Sequence, residues 1–327
     1  MNPPTVAPPP KSPTLLHMTK PLPDDLLALA IVAKQLGWQP SWARRFNTGL
    51  DFFVFDVGDG TRNVVVRIGR PEQAGVLVKG TSLRQRLRAL RVPLPETLAS
   101  GTAAGFPFVI QTRLDGTDLG NVMHRLDTPN LERIATAVAE AQAATARLGK
   151  GTRYGYAATA QDAPQATWAD VVDAHIGRSE RRLAGTGLFP DGILQRVRSR
   201  FSRHATALAQ MPSVPFLHDT TTKNVIVSPA GEFSGIVDVD DLCFGDPRYA
   251  PALTEVAMLV HGGPLGYVRT WMDRARHVRD AVFGFYVSVF LLDFMSEHAT
   301  TFNGNEAVTR AEDRTRLADL LERSLVD

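Results

Sequence analysis

The sequence predicts an α+β protein in which a small β-rich N-lobe is followed by a larger, mainly helical C-lobe. Between 52 and 112, short apolar runs are separated by Gly, Pro and polar residues, which is typical of strands. Beyond that segment the apolar spacing is that of amphipathic helices, interrupted by a hairpin pattern near 225–238. We therefore assign 24–112 to the N-lobe and 113–327 to the C-lobe, with a ligand-binding cleft between them.

Each element of the N-lobe has its own signal. Asp24 and Asp25 suit the first turn of an amphipathic helix. Two apolar runs on either side of Gly58-Asp59-Gly60 indicate a β-hairpin. The predicted elements are a helix at 24–36, strands at 52–57 and 63–68, a helix at 82–91, a short connection or strand at 94–98, and a strand at 106–112.

The C-lobe contains long segments with helical periodicity. The predicted helices span 130–148, 167–183, 192–211, 251–260, 267–289 with a break, and 306–325. The most apolar stretch, 281–294, is interrupted by Ser288 and Asp293. It is shorter than the roughly 20 residues that a membrane span needs, so we expect a core helix and no membrane partner. The Pro-rich start, 1–23, has no long apolar run and is expected to be a disordered tail.

Composition limits the classes of function. The 327 residues, 44% of them hydrophobic, are enough for a substantial core. The 36 basic and 34 acidic residues give a net charge of only +2, which does not favour a nucleic-acid partner. The single cysteine, Cys243, excludes an internal disulfide and agrees with a reducing cytoplasm. We expect a cytoplasmic protein, and the sequence leaves its oligomeric state open.

The most informative motif runs from Asp219 to Asp238. Asp219 precedes Asn224 by five residues, an apolar run and a turn follow, and a second apolar run ends in Asp238. In phosphoryl transfer one carboxylate orients the attacking hydroxyl, while an amide and a second carboxylate hold Mg²⁺, which prefers hard oxygen ligands. Asp and Asn are also common in turns, so the spacing alone is weak evidence. The order of loop, strand, turn, strand and Asp strengthens the prediction of a phosphoryl-transfer site.

The chain resembles the aminoglycoside phosphotransferase family of kinase-fold small-molecule kinases, which includes macrolide kinases. Three segments carry this resemblance: Leu217-His218-Asp219 with Asn224-Val-Ile-Val, Gly235 to Asp240, and Gly245-Asp246-Pro247. The resemblance implies a two-lobed protein-kinase-like fold, Asp219 as the base, Asn224 and Asp238 as Mg²⁺ ligands, and ATP or GTP as co-substrate. The family usually has His-Gly-Asp where this chain has Leu217-His218-Asp219, which affects the support of the loop.

Nucleotide-binding residues are expected in the N-lobe. Gly49, in the segment 47–51, lies where a loop covering the phosphates is expected, although an ordinary turn would also explain it. Arg67 is the candidate on the third strand of the family fold for holding the phosphates; the alternative is an edge arginine with its head in water. The residues at the connection between the lobes are expected to offer backbone groups to the base, and these are Gln111, Thr112 and Arg113.

One departure from the family concerns the helix after Arg67. The family resemblance implies a Glu there as the partner of the phosphate-binding cation. No acidic residue occurs between Gln73 and Pro95, and the helix offers Ser82, Leu83 or Arg84 instead. The absence of this Glu would allow a cleft that binds nucleotide but is poorly assembled for catalysis.

Two classes of function therefore remain. The first is a kinase that phosphorylates a hydroxyl of a small molecule: an aminoglycoside, a macrolide, as in antibiotic resistance, or a metabolite alcohol. An aminoglycoside would require acidic residues, of which Asp280, Asp293, Glu297, Glu306 and Glu312 are candidates. The second is a pseudokinase scaffold that binds nucleotide with little or no transferase activity.

Overall fold

The computed structural model describes residues 22–46, 52–300 and 310–325. The N-lobe contains a five-stranded antiparallel sheet with the order β1-β2-β3-β5-β4. Its strands are β1 (Trp42–Arg45), β2 (Phe53–Gly58), β3 (Asn63–Ile68), β4 (Thr97–Ala103) and β5 (Phe106–Thr112). The predicted hairpin and the predicted strand at 106–112 are confirmed.

Helices cover the two faces of this sheet. Helix α1 (Asp25–Leu36) begins after Asp24, whose carboxylate accepts the Leu27 amide at 2.9 Å. It packs with the apolar side chains of one face, among them Phe55 and Val66. Helix α2 (Ala74–Ala89) lies on the opposite face, and in strand β3 the alternation of side chains directs Arg67 to that face.

Helix α2 begins eight residues earlier than the predicted start at 82. Its first half has little apolar periodicity, since Val76 and Val78 are exposed and Gly75 and Gly80 interrupt the pattern. The helix therefore depends on its packing against the sheet rather than on an amphipathic sequence. Leu77, which is buried with Phe52 and Val109, provides that contact.

The C-lobe is mainly helical, as predicted. Its helices are α3 (Leu119–Val122), α4 (Thr128–Ala146), α5 (Trp168–Leu183), α6 (Ile193–Ala209), α7 (Tyr249–His261), α8 (Gly266–Arg274), α9 (Ala281–Glu297) and α10 (Ala311–Leu325). The predicted break within 267–289 falls between α8 and α9. Helix α9 is buried over most of its length and is the predicted core helix. Within the described ranges, no helix is long and apolar enough to cross a membrane.

Two small antiparallel sheets complete the C-lobe. The first consists of β6 (Thr117–Asp118), β9 (Val225–Val227) and β10 (Phe233–Ile236), in the order β10-β9-β6. It contains the predicted hairpin of the phosphoryl-transfer motif. The second consists of β7 (Gly155–Ala157), β8 (Val214–Phe216) and β11 (Leu242–Gly245), with β11 in the middle.

Some predictions fall on residues that the structure does not describe. These are Gly49 with the rest of 47–51, all but the last two residues of the predicted tail 1–23, and Glu306. The fold class itself, with a β-rich N-lobe and a mainly helical C-lobe, is confirmed.

Candidate active site

The loop from Leu217 to Asn224 connects β8 to β9 and presents the motif residues. At its start, the Gln142 side chain on α4 accepts the Leu217 amide at 2.9 Å and donates to the Leu217 carbonyl at 2.8 Å. It also donates to Thr220 Oγ1 at 3.1 Å. The Leu217 side chain is buried in an apolar cluster. The loop is thus held by a buried glutamine and an apolar anchor at the position where the family usually has histidine.

Asp219 lies at the turn of this loop. Its Oδ1 accepts the Thr221 hydroxyl at 2.8 Å, and the Asp219 carbonyl accepts Nδ2 of Asn224 at 3.1 Å. These bonds fix one carboxylate oxygen of Asp219 and orient the amide group of Asn224. Because Nδ2 of Asn224 is used for the loop, its Oδ1 is the atom suited to a metal ion.

Asp238 lies two residues after the end of β10, beside this loop. The Val237 amide donates to the Asn224 carbonyl at 2.9 Å, which brings Asn224 and Asp238 to the same end of the β9–β10 pair. Asp238 has a φ of 62°, a conformation that non-glycine residues rarely adopt. At this residue the backbone turns away from the direction of the strand. The Asp238 side chain is 60% exposed.

Charges around Asp238 favour a cation. Restricted hydration in the cleft and the nearby carboxylates of Asp240 and Asp219 raise the pKa of Asp238, against the opposing effect of Arg67. Asp219, Asp238 and Asp240 influence one another electrostatically, but among the described residues no group of three or more His, Cys, Asp or Glu side chains that could hold a metal ion is present. Asn224 and Asp238 remain the two predicted Mg²⁺ ligands, and water and phosphate oxygens would have to complete the coordination.

Arg67 is the predicted phosphate-binding residue, and it faces this carboxylate group from the N-lobe. Its Nη2 lies 2.8 Å from Asp238 Oδ1, and its guanidinium makes a bidentate pair with Asp240. The Phe52 ring lies below the guanidinium, 4.8 Å from ring centroid to Cζ. The alternative of an edge arginine with its head in water is wrong, because the side chain is only 6% exposed.

Arg84 and Asp240 were not assigned a definite role from the sequence. Arg84 Nη1 lies 2.6 Å from Asp240 Oδ1, so Asp240 binds both arginines. The available signal was a basic residue where the family helix offers Glu, together with a carboxylate two residues after Asp238, the predicted metal ligand. Sequence alone could not show that Arg84 and Asp240, which are 156 positions apart, are in contact.

His218, the residue before Asp219, pairs with a different carboxylate. Its Nε2 lies 2.7 Å from Asp241 Oδ1, and the edge of its ring contacts Tyr156 at a centroid distance of 4.9 Å. Burial alone would lower the pKa of His218, but Asp241, Asp219 and Asp238 together hold it above its usual value.

The connection between the lobes begins at the end of β5. Gln111 is buried and pairs with Val65 of β3, on the same face of the sheet as Arg67. The Thr112 amide donates to the Glu96 carbonyl at 2.9 Å. Arg113 folds back onto its own segment, with Nη1 2.6 Å from the Leu114 carbonyl and Nε 3.5 Å from Asp56. The three predicted base-binding residues thus lie together at the entrance to the C-lobe.

Two of the acidic residues considered for a cationic acceptor already have basic partners. Asp280 caps α9 and lies 2.8 Å from Arg248. Asp293 lies between Arg178 and Arg182, at 3.2 and 3.5 Å. Burial works to raise the pKa of Asp293, but His175 and Arg178 outweigh it and hold the pKa below its usual range. These two carboxylates are compensated within the protein.

Comparison with protein families gives one match, to the phosphotransferase enzyme family over residues 42–275. A search of curated proteins gives no match. Among solved structures, aminoglycoside phosphotransferase APH(4)-Ia, as a thermostable mutant in its apo form, is similar with a TM-score of 0.65 and 19% identity, covering 90% of this chain and 98% of that one.

Two other solved structures show the same fold. A putative fructosamine-3-kinase from Haemophilus somnus 129PT has a TM-score of 0.61 at 14% identity, covering 92% of this chain and 97% of that one. Aminoglycoside phosphotransferase APH(3'')-Id from Streptomyces rimosus, in complex with ADP and streptomycin, has a TM-score of 0.56 at 15% identity and covers 81% of this chain and 98% of that one. The mutant APH(4)-Ia has also been solved with AMP-PNP and hygromycin B.

Proposed function

Because the chain belongs to the phosphotransferase enzyme family, we propose that it transfers the γ-phosphoryl group of ATP or GTP to a hydroxyl of a small molecule. The observation that carries this proposal is the meeting of Asp238 with Arg67 at 2.8 Å, beside the loop that holds Asp219 and Asn224. A base, two metal-binding oxygens and a phosphate-binding cation are the parts that this chemistry requires. We place the boundary between the N-lobe, 24–112, and the C-lobe, 113–327, after Thr112.

Asp219 is the base in this mechanism. Its carboxylate accepts a hydrogen bond from the acceptor hydroxyl and orients that oxygen toward the γ-phosphorus. It receives the proton as the new O–P bond forms and the bond between the γ-phosphorus and the β–γ bridging oxygen breaks, which releases ADP or GDP. The Thr221 hydroxyl, 2.8 Å from Asp219 Oδ1, directs the other carboxylate oxygen toward the acceptor. Asn224 and Asp238 would hold Mg²⁺, which when bound would offset negative charge on the phosphate oxygens.

The nucleotide is held mainly by N-lobe residues. Arg67 donates to the phosphate oxygens from one side of the cleft, because its planar guanidinium suits such acceptors. Backbone groups of Gln111, Thr112 and Arg113 would lie along the base. ATP and GTP are both compatible with contacts of this kind.

The acceptor is a hydroxyl of an aminoglycoside, a macrolide or a metabolite alcohol. A polycationic acceptor needs unpaired carboxylates in its binding surface. Asp280 and Asp293, two of the acidic residues that could serve it, are already paired with Arg248 and with Arg178 and Arg182. An aminoglycoside would therefore have to bind Glu297 or other acidic residues of the C-lobe.

The Asp219→Asn variant tests the proposed chemistry. The amide cannot accept the hydroxyl proton, so we expect product formation to fall by about 100-fold or more. Purified protein is incubated with labelled ATP or GTP and pools of alcohols and antibiotics, and the modified hydroxyl is identified by mass spectrometry.

The exposed loop variant Asp191→Asn is the matched control, and it should retain the wild-type rate. Equal product from wild type and Asp219→Asn would remove Asp219 from the mechanism. Nucleotide binding without product from any acceptor would support the pseudokinase alternative, which the acid-free helix α2 favours.

A further inference from the structure

Asp240 joins two arginines that come from different elements of the N-lobe. Arg67, on β3, contacts both carboxylate oxygens, with Nη1 to Oδ1 at 2.9 Å and Nη2 to Oδ2 at 2.6 Å. Arg84, on α2, contacts Oδ1 from a second direction at 2.6 Å. One C-lobe carboxylate thus receives three charge-assisted hydrogen bonds, which are stronger than bonds between neutral groups.

The charges of Arg67, Arg84 and Asp240 depend on one another because the two arginines are buried. Arg84 is only 2% exposed and Arg67 only 6%, so neither cation can exchange its partner for bulk water at little cost. Burial works to raise the pKa of Asp240, but the two arginines outweigh it and lower that pKa. The mutual repulsion of the arginines is offset by the carboxylate between them. Loss of Asp240 would leave two buried like charges facing each other.

Helix α2 packs closely against the Asp240 segment. Arg84 also donates to the Val239 carbonyl at 3.2 Å and to the Thr81 hydroxyl at 2.9 Å. A Cβ at Gly80 would lie 2.8 Å from Asp240 Oδ1, so only glycine allows the helix to approach this far. Glycine within a helix costs roughly 0.5–1 kcal/mol relative to alanine, which gives its presence at this contact a physical reason.

We propose that Asp240 and Arg84 are positioning residues that hold the Arg67 guanidinium toward the nucleotide phosphates, in place of a glutamate on α2. The carboxylate comes from the C-lobe and the helix supplies a second cation. Arg67, α2 and the segment after Asp238 are thereby fixed relative to one another. This inference rests on the proposed function, because it assigns the role of Arg67 to phosphate binding.

Binding of nucleotide and nucleoside separates positioning from general stability. The probes are the non-hydrolysable triphosphate analogue with Mg²⁺, of whichever base the wild type binds better, and the matching nucleoside. For Asp240→Asn we expect the Kd of the triphosphate to rise roughly tenfold or more, with the nucleoside Kd unchanged. For Arg84→Met we expect a smaller loss in the same direction, and for Arg84→Lys a partial recovery because the charge is kept.

Lys79→Met is the matched control, because Lys79 lies on the same helix and also reaches a carboxylate outside α2, that of Asp162 at 3.3 Å, but at the exposed surface. It should bind both probes as the wild type does. Parallel weakening of triphosphate and nucleoside binding in the Arg84 variants, or unchanged triphosphate binding in Asp240→Asn, would overturn the positioning role. A wild type that binds neither probe would overturn the proposed function itself.

Discussion

At the scale of single residues, His218 is a departure from the family with a physical consequence. A side chain with a raised pKa replaces the usual glycine beside the base, and Asp241 is its partner at 2.7 Å. A raised pKa means that the folded protein binds this proton more tightly than the unfolded chain does. The pair therefore stabilises the fold below the unfolded pKa of about 6.5, and this contribution disappears as the pH rises through the folded pKa.

The His218→Gln variant should show this dependence. We expect its loss of unfolding free energy, relative to the wild type, to be larger at about pH 6 than at about pH 9. Urea unfolding at a series of pH values measures the difference, and Asp241→Asn should reproduce it because the same pair is broken. A loss that grows toward alkaline pH would contradict the assigned partner.

The residues of the candidate site were predictable to different degrees. Asp219, Asn224 and Asp238 lie within 20 positions of one another, so a local motif could place them in one cleft. The contacts of Asp240 were not predictable, because they are made by arginines more than 150 positions away that reach it only in the folded chain. Gln142, which holds the loop at Leu217, is 75 positions away from that residue in sequence.

At the scale of elements, the segment Gly245-Asp246-Pro247 shows how a short motif can serve packing. A Cβ on Gly245, at the end of β11, would lie 2.0 Å from the Trp168 ring, which is fully buried on α5. The Trp168 indole donates to the Tyr286 hydroxyl at 2.8 Å, which donates to Asp246 at 2.9 Å. Glycine lets the indole reach the strand, and Asp246 closes a hydrogen-bonded chain from α5 through α9.

Replacement of Gly245 by alanine should therefore destabilise the C-lobe. We expect a loss of about 1–3 kcal/mol in unfolding free energy, because a rigid indole must shift to accommodate the methyl group. Gly75→Ala is the control, since no atom lies within 4 Å of the added Cβ and the residue is helical. It should be neutral or stabilising by up to about 1 kcal/mol. Similar losses for both variants would contradict the packing argument.

Length and periodicity decided which elements could be predicted. Strand β5 and the hairpin of β2 and β3 have apolar runs of several residues bounded by turn residues, and the predicted bounds agree with the structure to within one residue. Strands β7 and β8 have only three residues each, too few to show a period, and they form only because β11 lies between them. The predicted start of α2 at residue 82 was wrong because the first two turns of the helix are stabilised by contacts rather than by an apolar pattern.

At the scale of the whole molecule, the proposed nucleotide site is also a connection between the lobes. Arg67 and Arg84 belong to the N-lobe, and their partners Asp238 and Asp240 belong to the C-lobe. A ligand that bridges the same elements stabilises the folded protein, since it binds the folded state and not the unfolded chain. The stabilisation is about 2.7 kcal/mol when the free ligand is at 100 times its Kd.

Thermal unfolding should therefore respond to nucleotide and metal together. We expect ATP or GTP with Mg²⁺ to raise the Tm by a few degrees, and by less when the metal is chelated, because Asn224 and Asp238 then lack the ion that links them to the phosphates. Asp219→Asn should keep this shift, since Asp219 contacts the acceptor, whereas Asp238→Asn should lose most of it. If the Tm shift is unchanged after chelation and in Asp238→Asn, then Asn224 and Asp238 do not hold the metal. If Asp219→Asn and Asp238→Asn lose the Tm shift equally, then Asp219 contacts the nucleotide.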